Sequence, residues 1–142
     1  MSPSPRVTEL TWTAEHSTLS IRRPVPGVVV IVVTGTDVGQ HGDGPFLALA
    51  EDLAGGPFEL FVDARASRGV TIDVSAQWAV WLAGKRASLR AVHMLTGSRF
   101  VQLTVNFVRS FADLGELMRV YTEPAPFDRA LEEAVAARGP GT

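Results

Sequence analysis

Residues 28–34 read VVVIVVT, a nearly unbroken run of β-branched side chains. A strand with one face in water alternates apolar with polar residues. A run apolar at every position asks for cover on both faces, the condition of interior strands in a parallel sheet. Residues 58–64 (FELFVDA) and 90–96 (RAVHMLT) carry a similar character further along the chain. Between them the apolar spacing lengthens from two residues to three and four, the period of a helix. Pro45 opens a helix over residues 45–53, with Phe46, Leu47 and Leu49 on its apolar side, and Gly55 and Gly56 stop it. Asp73 or Ser75 caps a second helix to about residue 87, with Trp78, Trp81 and Leu82 sharing a face. Ser98 caps a third to about residue 114, where Phe100, Leu103, Phe107, Val108 and Phe111 form a stripe.

The flanks extend the plan. Residues 17–22 (STLSIR) alternate as a half-exposed strand, and residues 24–27 (PVPG) turn the chain. Residues 117–121 (LMRVY) make a short last strand, and after Pro124 and Pro126 a final helix runs to about residue 138. The order β, β, α, β, α, β, α, β, α is most economically joined by right-handed crossovers. The expected fold is α/β: a mostly parallel sheet of about five strands, one N-terminal strand antiparallel, and about four helices. One domain over residues 9–138 is expected between loose tails at 1–8 and 139–142, both rich in Pro, Gly, Ser or Thr.

Composition narrows the function classes. Thirteen basic residues stand against 15 acidic ones, for a formal net charge of -2, so the clustered basic face of a nucleic-acid module is missing. Bulk attraction to an anionic membrane is disfavoured for the same reason. There is no cysteine, which excludes a thiol nucleophile, a disulfide framework and a Cys-type zinc site. The opening MSPSPRVTEL lacks the apolar core of a secretory signal, and the apolar run at 28–33 is far short of the ~20 residues that span a bilayer. A soluble cytoplasmic protein is the expectation.

Three short motifs accompany the element order. Asp63 closes the second interior strand in FVDA, the turn TGSR (residues 96–99) opens the long helix, and VYTE leaves the last strand for the Ala-rich helix FDRALEEA. With the element order, over about residues 16–136, they make the chain resemble the STAS-like domains, the fold of anti-sigma-factor antagonists, and their SpoIIAA-like bacterial branch in particular. The resemblance implies a non-enzymatic regulatory module without a cofactor, acting by docking on protein partners or as a homodimer. Such domains are often switched by phosphorylation where a strand meets its helix, and some bind nucleotides or small apolar molecules. That junction here is ASRGVTIDVSAQ, in which Ser67, Thr71 and Ser75 stand without the antagonist signature, so no phosphorylated residue is carried over.

In an open parallel sheet, ligands sit beyond the carboxyl ends of the strands. The expected rim holds Asp63, Arg65, Ser67, Arg68, Thr71 and Ser75 from one junction, and Thr96, Ser98 and Arg99 from the next. Two helix N-termini and three arginines there suit a phosphate or carboxylate, against the plainer reading of simple caps and an Arg99–Asp63 pair. Trp78 and Trp81 either pack on the sheet or line an apolar pocket or interface, with Phe107, Phe111 and Met118 as the opposite wall. His41 with Asp37 and Asp43 matches no metal-binding spacing. A carrier or sensor of a small apolar or anionic molecule is the alternative to the regulatory module. A hydrolase or isomerase using Asp63 and His93 is the weaker third.

Overall fold

The computed structural model describes residues 9–54, 57–97, 99–111 and 113–138. The expected tails at 1–8 and 139–142, and the expected cap Ser98, lie outside them. The fold is a single α/β domain built on one mixed sheet of six strands in chain order. These are β1 (Glu9–Ala14), β2 (Ser17–Val25), β3 (Val28–Asp37), β4 (Phe58–Val70), β5 (Leu89–Thr96) and β6 (Met118–Tyr121). β2 pairs antiparallel with β1 and β3, and every later pair is parallel. Helices α1 (Gly44–Ala54), α2 (Ile72–Lys85) and α3 (Arg99–Phe111) connect the parallel strands, and α4 (Pro124–Arg138) follows the last.

Each crossover steps to the next strand in the same direction, so right-handed connections keep their helices on one face. Leu49 of α1, Leu82 of α2 and Val105 and Val108 of α3 pack with Val29, Ile31, Val33, Leu60 and Val92 of the sheet. α4 folds back over the opposite face, where Phe127 and Ala134 meet Val28, Val30, Phe61 and Leu95. The run at 28–34 therefore alternates between two apolar layers, which is why it carries no polar interruption.

Three differences from the sequence expectation have physical causes. β1 is an additional strand: Leu10, Trp12 and Ala14 are half-buried and Glu9, Thr11 and Thr13 exposed, and the strand exists by pairing with β2. The PVPG segment is partly strand, since β2 runs to Val25 and only Pro26 and Gly27 turn, with Gly27 at φ 87° as a tight Pro-Gly turn requires. β4 continues to Val70 through most of what read as a loop, held by β3 partners Thr34, Gly35, Thr36 and Asp37. Among the described residues, no helix is long and apolar enough to cross a membrane.

Candidate functional site

Two register shifts in the β3–β4 pair create the site. Val32 faces Asp63, but Thr34 faces Ala66, and Gly35 faces Ser67 while Thr36 faces Gly69. β4 thus carries an extra residue at each of two bulges, and each bulge reverses the side its next residues face. Strict alternation from Val62 and Ala64 would send Ala66 and Arg68 toward α2 and α3. The bulges instead turn Ser67 and Val70 to that side, while Ala66 and Arg68 line a surface depression with Thr34 and Thr36. Gly97 permits this path, because a Cβ there would stand 2.3 Å from the Arg65 carbonyl oxygen on the bulge.

Under the rearranged end of β4 lies a cavity of about 90 Å³ between the sheet and helices α2 and α3. Its floor is Ile31, Val33, Leu60, Val62, Val92 and Met94, and its helical wall is Trp78, Leu82, Thr104, Val105 and Val108, with Met118 at the far side. Asp37, Ser67 and Ser75 supply its polar end, and all three are buried. A smaller space beside the loop at 38–43, lined by His41 and Phe46, shares Leu19, Asp37 and Trp78 with the cavity. Those side chains separate the cavity from the loop, and His41 Nε2 is 2.9 Å from Ser17 Oγ. Well-packed interiors keep few voids larger than a water molecule. At roughly 24 cal/mol per Å³, an empty space of this size costs about 2 kcal/mol.

The polar end is built by local structure. Asp37 ends β3; its Oδ1 accepts from the Gly39 N–H at 2.9 Å, and its carbonyl accepts from the Thr71 N–H at 3.0 Å. Thr71, rather than Asp73 or Ser75, caps α2: its backbone is extended and its hydroxyl accepts from the Val74 N–H. Ser75 is therefore inside the first turn, donating to the Ile72 carbonyl at 2.8 Å. The Ser67 hydroxyl donates to the Gly35 carbonyl at 3.5 Å.

The remaining rim residues are dispersed. Asp63 faces α4, where Arg65 bridges it at 2.9 Å to Asp128 of α4 at 2.7 Å. The arginine that ties Asp63 is thus Arg65, through a contact sequence spacing does not reveal. Thr96 is buried and donates to the Tyr121 carbonyl, and Arg99 is exposed at the start of α3. Of the aromatic set's described side chains, only Trp78 lines the cavity. Trp81 packs edge-on against it at 6.2 Å, Phe46 lies 4.6 Å from Trp78, and Phe107 is 45% exposed on the outer side of α3. The Phe111 side chain lies outside the described residues. Among the described residues no group of three His, Asp or Glu side chains could hold a metal ion.

His93 and Asp63 share the α4 face, and neither lines the cavity beneath α2 and α3. His93 is stacked on Phe61 at 4.1 Å with the ring planes 2° apart. Glu59 can only accept, so His93 Nε2–H donates to its Oε2 at 3.1 Å, and Nδ1 accepts from the Tyr121 hydroxyl at 2.9 Å. Desolvation holds the imidazole below its ordinary value of 6.5, against the opposing pull of Glu59. The fold thus favours neutral His93, and the unfolded chain takes up the proton first as pH falls. Stability from this site is complete above pH 6.5 and is lost on acidification, by up to about 1.4 kcal/mol per pH unit. Urea titrations of the native chain between pH 7.5 and 5 should show that slope, and His93→Gln should flatten it; equal slopes would remove His93 as the cause.

Compared with protein-family models, curated proteins and solved structures, the chain matches none. The cavity and its lining are what bear on function. Ser67, Ser75 and Trp78 are marked by type and position in the sequence, whereas Asp37 stands out there only beside His41 and Asp43. Its period-two phase with Val33 and Gly35 was the available signal, masked by the glycine-rich loop that follows.

Proposed function

We propose that the protein is a non-enzymatic binding module of STAS-like type that holds a small, largely apolar molecule between its sheet and helices α2 and α3. The observation that carries this reading is the cavity of about 90 Å³, lined by aliphatic side chains and Trp78, which runs between sheet and helices from mid-strand to the carboxyl ends of β3 and β4. An apolar guest there would recover contacts that the void forfeits. The likeness in element order to the STAS-like domains supports the same class, since some of them take small apolar ligands.

Titration with benzene, toluene and isopentane tests the proposal through tryptophan emission, thermal unfolding and native mass spectrometry. Binding at a hundredfold excess over Kd would stabilise the fold by about 2.7 kcal/mol. No change in emission or unfolding with any of the three would end the reading. A protein-docking role rests on a separate observation: Val80 at 60%, Leu103 at 67% and Phe107 at 45% exposure stand on the outer side of α2 and α3. Light scattering that finds only a monomer would count against the homodimer that this second reading includes.

A further inference from the structure

The polar end of the cavity is one-sided in its hydrogen bonding. Asp37 is 5% exposed and offers only acceptor atoms as a carboxylate. Its Oδ1 is engaged by the Gly39 N–H, and among the described residues Oδ2 has no hydrogen-bond partner and the carboxylate no ion pair. Ser75 spends its hydroxyl hydrogen on the Ile72 carbonyl, and Ser67 directs its own toward the Gly35 carbonyl. What these three side chains have left is lone pairs. Buried carboxylates are normally paired or fully hydrogen-bonded, so the missing partner here is a donor.

From this we infer, on the reading that the cavity holds a ligand, that the ligand is a small alkyl or aryl amine whose ammonium group sits on Asp37 Oδ2, its apolar body lying along Trp78 and Val105. An ammonium brings three donors to a site that offers acceptors from Asp37, Ser67 and Ser75. It also brings the countercharge that the buried carboxylate lacks. The positive end of the α2 dipole opposes a cation by a few-fold at an exposed helix end and up to about thirtyfold at a buried one. A hydrogen bond between charged groups is worth about tenfold to a hundredfold, and an ammonium can make more than one. The anionic guest considered from sequence meets the opposite condition: a carboxylate placed at this end would meet the like charge of Asp37.

Four probes on similar branched carbon skeletons test the assignment: isopentane, isopentanol, isopentylamine and isovalerate, titrated by isothermal calorimetry. The amine should bind about tenfold or more tightly than the hydrocarbon, the alcohol should fall between them, and isovalerate should be rejected. Asp37→Asn keeps an oxygen for the Gly39 N–H and replaces Oδ2 by a donor NH₂ group. In that variant the amine should lose tenfold or more, isovalerate should gain, and isopentane should be unchanged. Circular dichroism checks that the variant is folded. If that variant does not fold, Ser75→Ala serves instead, with a severalfold loss for the amine and none for isopentane. Isopentane binding as well as the amine in the native protein overturns the amine assignment while leaving the cavity reading intact. Failure of all four to bind overturns both.

Discussion

Phe61→Ala is expected to lower folding stability by about 4 kcal/mol, the largest effect of any single truncation considered for this chain. Phe61 is fully buried in the first half of β4, beside His93 of β5. Its ring is stacked on His93 at 4.1 Å and meets Phe127 of α4 edge-on at 5.8 Å, so its loss opens a void beneath α4. His93, Tyr121 and Glu59 would lose the apolar lid beside their hydrogen bonds as well. A domain of this size has roughly 5–15 kcal/mol in total, so the variant should retain a folded state at low temperature. Urea unfolding followed by far-UV circular dichroism measures the change. A loss below about 1 kcal/mol would mean that α4 does not depend on this layer. Because Phe61 faces away from the cavity, folded Phe61→Ala should bind small apolar probes as the native protein does.

Val105→Phe should have the reverse profile. Val105 is 3% exposed and lines the cavity from α3. A phenyl group there occupies space that now costs about 2 kcal/mol, and overpacking strain of about 1–3 kcal/mol acts against that gain. Net stability should therefore shift by no more than about 1 kcal/mol in either direction. Binding of benzene or isopentane should nevertheless weaken by about tenfold or more, because the volume a guest needs is filled. Unfolding midpoints and calorimetric titration of the same preparation separate the two effects. Unchanged affinity would place any bound guest elsewhere on the molecule.

These two substitutions probe the two sides of one sheet, and the sides were unequally legible in the sequence. That residues 28–34, 58–64 and 90–96 are interior parallel strands followed from their apolar continuity and from the helical spacing between them. Composition and periodicity report burial, which is a local demand of each side chain. The presence of β1 was signalled by the alternation of Leu10, Trp12 and Ala14, but a strand of six residues rich in Thr acquires its structure only from the neighbour it pairs with.

The site was harder to read. Trp78, Ser67 and Ser75 stood out by type and position, yet Asp63, Arg65 and Arg68 stood out equally, and the fold sends them elsewhere. Asp63 and Arg65 face α4 by alternation with Val62 and Ala64, but between Ser67 and Arg68 the two bulges in β4 decide. A bulge is a property of the β3–β4 pairing, in which one residue of a strand goes unmatched, and a single strand's alternation cannot report it. The sequence by itself determined the layers: an α/β sheet whose central strands need cover on both faces. Only the tertiary structure decided which residues of the polar stretch after Asp63 turn inward. It also decided that Asp37, from a different strand, joins them, because register is set between chain segments far apart in sequence.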